Sequence, residues 1–328
     1  MGKQRVLILG ATGQTGESIF NALLKDTESF DVEALVRPAS AEKPEVKNLT
    51  ALGVKVHVVD ISGPMDELVR VLTGVDVLIS AVDPSGQQAQ LQLVTAAKQA
   101  GVKRFVPSAF ITVAPPRGVM ALRDGKEELY QEIWKQSVPY TIIDVGYWYQ
   151  LSFPTLPSGR VDYAAAIKPK TEIHAGGTAP TMLTDLRDIG RFVALIIKDP
   201  RTLNKYVAAY GHVSSENEIF ALMEEMSGEK IERKHLSPDE MEKMRVEAAA
   251  TVKAEPNNWM AWGKIAIAEY EYSKYVRGDN TPEYAKYLGY LDARELYPEF
   301  QPMSFKAFVA ELLEGKGEMP YKRYRSGS

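Results

Sequence analysis

The stretch VLILGATGQTGESIF, residues 6–20, runs from an apolar block, Val6 to Leu9, into glycines at every third position, Gly10, Gly13 and Gly16. A buried strand that ends in a tight turn and opens a helix aims unpaired backbone N–H groups, and the positive end of the helix dipole, at one point. Such a point suits an anion. Gly10 is expected to permit the sharp turn, Gly13 to admit a pyrophosphate to the backbone, and Gly16 to let helix pack closely on strand. Thr12, Gln14 and Thr15 add side-chain donors nearby. The spacing G-x-x-G-x-x-G is one residue longer before its second glycine than the fingerprint of NAD dehydrogenases. Alone, a glycine-rich turn is only a turn; at the head of a strand–helix–strand unit it predicts dinucleotide binding.

The surrounding pattern supplies that unit. Short apolar runs, RVLILG, VEALVR, VKVHVVD, DVLISAV, RFVPSAF and PYTIIDVG, alternate with helical patterns through the first 150 residues. Near-continuous apolar strands alternating with helices predict a parallel sheet covered on both faces. The expected class is α/β, a doubly wound Rossmann sheet over residues 1–150, with a smaller C-terminal α+β substrate lobe over 151–328, with or without a strand returning to the sheet. In that second half Ser215 with Glu218, and Ser237-Pro238 with Glu240, have the spacing of helix capping boxes.

Composition narrows the class of function. The 328 residues are 45% hydrophobic, enough for a substantial core, and the formal net charge is −4 with Lys and Arg scattered. No basic stripe is present for a phosphate backbone or an anionic bilayer, so neither nucleic acid nor membrane is an expected partner. The absence of cysteine excludes disulfides, thiolate zinc sites and cysteine nucleophiles, and agrees with a reducing compartment. No apolar run reaches membrane-span length and the start MGKQR is polar, which predicts a soluble, cytoplasmic protein. The four histidines, His57, His174, His212 and His235, are far apart with no pair at ligand spacing, so no metal is expected.

The end of the second strand bears on which dinucleotide fits. An NAD enzyme usually offers a carboxylate there to the ribose 2′-hydroxyl. This chain offers Arg37 in VEALVRPAS, with Lys43 and Lys47 as helpers, while Glu33 falls too early in the strand. A guanidinium suits a 2′-phosphate, hence NADP(H). Asp60, closing VKVHVVD, has two open readings: a cap on the adenine amino group, or a turn residue.

One cation sits on the wrong face of a helix. DGKEELYQEIWKQSVPY predicts a helix from about Gly125 to Gln136 and then a strand. At about 100° per residue, with Lys126 at zero, Leu129, Tyr130, Ile133 and Trp134 fall between roughly −60° and +80°. Lys126 therefore belongs to the apolar face, near the positive end of the dipole, whereas Lys135 lies about opposite, where an ordinary surface lysine goes. Burial lowers a lysine pKa and suits it to proton transfer near neutrality.

With these residues in view, VLILGATGQTG, LVRP, QLQLVTAAKQAGVKRFVPSAF, the helix at Lys126, VPYTIIDVGYW and RELYPEFQPMSFKAFVAELL together resemble the NmrA-like and isoflavone-reductase-like group of atypical short-chain dehydrogenases. GYWYQ and LPSGR are most similar to its fungal members. The resemblance implies that Lys126 is the catalytic acid–base group. It also implies that Ser108 and Phe110 lie along the nicotinamide, that Ala81 and Val82 flank the cofactor, and that Gln90 matches a family glutamine. Gly146, Tyr147 and Trp148 then begin the substrate pocket, with Tyr130 as a further substrate contact or second proton donor. Ala109 and Ile111 stand where the family pattern has an acid and a glycine, which changes the pocket floor.

The expected activity is NADPH-dependent reduction of a small apolar carbonyl, enone or phenolic secondary-metabolite intermediate by a monomer or homodimer. The alternatives are an NADP(H)-binding redox sensor without turnover, and a redox-neutral isomerase, cyclase or dehydratase. Tyr270-x-x-x-Lys274 has the spacing of an orthodox short-chain dehydrogenase pair but lies too far along the chain for that role. His174 and Tyr163, in loops past the start of the pocket, are either substrate contacts or satisfied loop residues. Trp259, Met260 and Trp262 are expected to pack in a core or interface, or to cover a flat ligand.

Overall fold

Val6, Leu7 and Ile8 are wholly shielded from solvent because β1 (Gln4–Leu9) is the middle strand of a sheet. The computed structural model describes residues 2–83 and 86–321. Along the chain follow α1 (Gln14–Leu24), β2 (Phe30–Val36), α2 (Pro44–Ala51), β3 (Lys55–Val58), α3 (Met65–Leu72) and β4 (Val77–Ser80). Then come α4 (Gln90–Ala100), β5 (Arg104–Val106), α5 (Ala121–Lys135) and β6 (Thr141–Asp144). The sheet order is β3-β2-β1-β4-β5, all parallel. Strand order reverses between β1 and β4, so a crevice opens outside their carboxyl ends.

The chain divides into two compact units, the first made of residues 1–110, 125–144 and 186–207. The single boundary expected near residue 150 is replaced by three segments. The strand Lys205–Ala208 pairs beside β6, and the helix Leu186–Lys198 lies against α1. That approach needs glycine: a Cβ at position 190 would stand 2.0 Å from the Ser18 carbonyl oxygen. Ser18 seals the contact, its Oγ donating to the Leu186 carbonyl at 2.5 Å and accepting from the Gly190 N–H at 3.0 Å. Arg104 is buried on β5 and donates to Thr141 Oγ1, Thr202 Oγ1 and the carbonyls of Ile196 and Asp199.

The second unit takes residues 111–124, 145–185 and 208–328. The strand Thr181–Thr184 pairs in parallel with Tyr147–Trp148 and antiparallel with His212–Ser214. Glu172–His174 pairs in parallel with Lys234–Leu236. Its core is aromatic: Tyr149 meets Phe305 edge-on at 4.9 Å, and Phe153 and Phe308 close around them. Both capping boxes form reciprocally. The core expected of Trp259, Met260 and Trp262 does not: Trp259 is 79% exposed and the other two are also exposed. Helix Trp259–Glu271 turns Ala261, Ile265 and Glu269 inward instead, a four-residue period that leaves the bulky cluster outside. Among the described residues no helix is long and apolar enough to cross a membrane.

In the first unit Glu33 is buried in β2 and accepts from Arg5 (Nε 2.9 Å, Nη2 2.8 Å) and His57 Nε2 (2.6 Å). Burial alone would raise its pKa, but the hydrogen bonds from Arg5 and His57 outweigh it and hold the carboxyl at about 2, below the ordinary 4.5. The unfolded chain takes up this proton at higher pH than the folded one. The stabilisation is thus complete above pH 4.5 and lost as pH falls toward 2. Denaturant melts of Glu33→Gln at neutral pH are expected to show a loss of about 2–3 kcal/mol, and the gap to wild type should narrow across that acid window.

Candidate functional site

The first unit gathers a site at the carboxyl ends of β1, β4 and β5. Gly10 turns with φ +84°, and a Cβ there would lie 2.6 Å from the Ala81 carbonyl oxygen, so the loop after β1 rests directly on the chain leaving β4. A Cβ at Gly16 would stand 1.9 Å from the Gly10 carbonyl oxygen, which brings the first turn of α1 down onto the same loop. Gly13 is the N-cap of α1 and carries no side-chain cap. Thr12, Gln14 and Thr15 are half-buried around it. A bare cradle of backbone amides at a helix N-terminus is the donor set a pyrophosphate requires, so these residues fit a dinucleotide.

Arg37 follows β2 and is solvent-exposed, free of the sheet that claims Glu33. Lys43 is also exposed, while Lys47 pairs with Glu42 at 3.0 Å. Asp60 accepts from the Ser62 N–H at 2.9 Å and its carbonyl accepts from Gly63, which is turn chemistry.

Ser108 joins the expected nicotinamide residues. Its Oγ donates to the Val82 carbonyl at 2.8 Å, and its N–H donates to Gln90 Oε1 at 3.1 Å. Its own carbonyl accepts from Lys126 Nζ. Phe110, two residues on, holds the left-handed conformation at φ +48°, with its N–H bonded to the Ile143 carbonyl at 2.9 Å. A bulky residue kept there is strained, and such strain concentrates where geometry is dictated by function. Val82, Gln90, Ser108 and Lys126 are thus linked through one hydrogen-bonded junction, next to Ala81 and the glycine loop.

Lys126 is only 5% exposed and lies on the buried face with Leu129, Tyr130 and Ile133. The helix differs from expectation at its start: α5 begins at Ala121, so Lys126 stands in the second turn, not at the dipole's positive end. Gly125, which suggested a helix start, is an interior residue. Burial, not the dipole, is what distinguishes this lysine. Tyr130 is wholly buried in the core, edge-to-face with Tyr206 at 5.9 Å, which removes it from substrate contact.

In the second unit Gly146 has φ +67° and lies against the Met182 carbonyl, where a Cβ would be 2.5 Å away. Trp148 is buried, with Tyr321 at 5.5 Å between rings. Tyr147 is half-buried, and the ammonium of Lys274 lies 3.5 Å from the centre of its ring. Burial holds the Tyr147 phenol well above its ordinary pKa, so it stays protonated. Burial also lowers the pKa of Lys170, whose Nζ donates to the Leu151 carbonyl. Tyr163 is a satisfied loop residue, its Oη donating to the Leu312 carbonyl at 2.7 Å. Tyr270 and Lys274 both lie in the second unit against Tyr147, Tyr270 at 5.9 Å between rings and Lys274 from the π-helical segment Tyr272–Arg277. Sequence spacing also gave no sign that His174 meets Glu216 and Glu271, residues far apart in the chain whose donor atoms lie within 4.8 Å of one another.

Residues 2–308 match the NmrA-like family. Asnovolin J 5',6'-dehydrogenase of Aspergillus novofumigatus is 42% identical, over 94% of this chain and 95% of its own length. A phenylcoumaran benzylic ether reductase of Ginkgo biloba is 30% identical, over 95% of this chain and 100% of its own. Among solved structures, the leucoanthocyanidin reductase–NADPH complex of Vitis vinifera superposes with a TM-score of 0.78 at 22% identity, covering 94% of this chain and 99% of that one.

Gly10 and Gly53 both hold positive φ, but only Gly10 has atoms within 4 Å of a built Cβ. Thermal melts should separate the two effects: Gly53→Ala is expected to cost about 1 kcal/mol from backbone strain alone, and Gly10→Ala at least about 2 kcal/mol more.

Proposed function

The chain belongs to the NmrA-like family, and on that premise we propose that it is an NADP(H)-dependent oxidoreductase of a small apolar or aromatic secondary metabolite bearing a carbonyl, enone or phenol, with Lys126 as its acid–base group. The observation that carries this reading is the burial of Lys126 on the Ser108 carbonyl, at the junction that also fixes Val82 and Gln90. Gly10, Gly13 and Gly16 with Thr12, Gln14 and Thr15 would hold the pyrophosphate, and Arg37 the 2′-phosphate. Ala81, Val82, Ser108 and Phe110 would line the nicotinamide. When bound, the nicotinamide supplies or accepts a hydride at its ring carbon.

The rest is the work of this chain's residues. Anchoring on a backbone carbonyl holds Lys126 Nζ at one position, so the proton need not be found and oriented during reaction. A buried ammonium gives up its proton more readily than one in water, and it stabilises negative charge developing on a substrate oxygen in its reach. The gene products most informative about direction differ: the Aspergillus relative is named a dehydrogenase and the Ginkgo one a reductase. A lysine that can hold or release a proton serves hydride transfer in either sense.

Lys126→Ala is expected to lower turnover of NADPH with enones, quinones and phenolic ketones by about a hundredfold or more while leaving NADPH binding intact. Unchanged turnover would remove the lysine from the mechanism; no single-turnover oxidation of bound NADPH in the wild type would favour a sensor. Arg37→Ala should weaken NADPH about tenfold or more and leave NADH nearly untouched, as read by quenching of protein fluorescence.

A further inference from the structure

The second unit buries a group of ionisable side chains for which the chemistry above has no use. Lys274 is 1% exposed, yet among the described residues its ammonium pairs with one carboxylate, Glu271 Oε2 at 3.1 Å. Tyr275 Oη stands at 3.5 Å, and the ring faces of Tyr147 and Tyr275 complete its surroundings. Three donors and one anionic partner make an expensive interior cation, and an apolar residue of similar volume would fill the space at lower cost. The backbone is deformed to place it. The π-helical segment Tyr272–Arg277 carries both Lys274 and Tyr275, and such turns are rare and frequently found at functional sites.

Glu271 also approaches His174, whose ring is held on two sides. Glu216 accepts the backbone N–H of His174 at 2.7 Å and bonds its Nδ1 at 2.8 Å. Tyr275 stacks on the imidazole at 5.2 Å with 9° between the planes. A carboxylate on Nδ1 keeps the proton there and puts the basic lone pair on Nε2. The side chains of His174 and Glu271 retain 12% and 15% exposure, so the cluster reaches solvent on their side. Two lysines, Lys170 and Lys274, face two carboxylates, Glu216 and Glu271, and a ligand without net charge enters without importing charge. A divalent cation would meet the ammonium already seated on Glu271.

We propose that this cluster is a proton-exchanging binding site for a hydroxyl on an unsaturated carbon, a phenol or an enol. His174 Nε2 takes the hydroxyl proton: the O–H bond breaks, its electron pair stays on oxygen, and an N–H bond forms. The resulting oxyanion is stabilised by the Lys274 ammonium, and the imidazolium by Glu216. The proposal rests on the reading that the chain acts on small oxygenated, unsaturated molecules, and is independent of Lys126.

The test titrates the full-length protein, dialysed against EDTA, with 4-nitrophenol at a pH below that phenol's own pKa, following the phenolate absorbance. Wild type is expected to bind saturably and to develop the phenolate band. His174→Gln and Lys274→Met should lose the band and bind about tenfold or more weakly. Glu216→Gln keeps the shape of the site but not its charge, and is expected to weaken the band; it decides the matter should melting curves show His174→Gln or Lys274→Met unfolded. No saturable binding by wild type, or equal bands in wild type and the folded variants, overturns the proposal. A band that appears only after zinc is added overturns it too, in favour of a metal site. Turnover lost or kept in Lys126→Ala tests the oxidoreductase reading alone, so failure of one is told apart from failure of the other.

Discussion

A carbonyl oxygen sets the terms for the first unit. The Gly10 carbonyl leaves no room for a side chain at position 16, and the Ala81 carbonyl leaves none at position 10. Helix α1, the turn after β1 and the exit of β4 are thereby pressed into van der Waals contact through backbone alone. Bare amides at the start of α1 are the by-product of that squeeze, and they face the crevice where strand order reverses. The anion site is thus a consequence of packing before it is a matter of ligand chemistry.

Each unit then places cations where solvation is poor, and each solves the cost differently. Lys126 donates to a backbone carbonyl, a neutral dipole that fixes its position. Lys274 rests on a carboxylate and a phenol ring, which compensate charge but use little of its donor capacity. Glu33 shows the contrasting structural solution: an interior carboxylate so well supplied with donors that nothing is left for a ligand.

Much of this was legible in the residues. The order of apolar runs predicted the parallel sheet, the glycine rhythm its anion turn, and Ser215/Glu218 and Ser237/Glu240 their helix starts, because each depends on neighbours within a few positions. Lys126 was legible for the same reason, as one residue out of place on a helical face. What escaped were features made by distant parts of the chain. The sequence allows for a returning strand, but nothing local reveals that residues 186–207 supply it together with a helix, or that Tyr130 packs on Tyr206. The start of α5 was misplaced because Gly125 is a poor helix former tolerated within it. The Tyr270 and Lys274 spacing is set aside for its place in the chain, and nothing local announces that His174, Glu216 and Glu271 meet.

The return of residues 186–207 also bears on how the protein is made. Arg104, on β5, has its donors matched by Thr141 and by groups at Ile196, Asp199 and Thr202. During synthesis those last partners leave the ribosome roughly ninety residues after the guanidinium they satisfy, a delay of several seconds at ordinary elongation rates. Until then the guanidinium lacks those later partners, and a fragment cut at residue 150 would never acquire them.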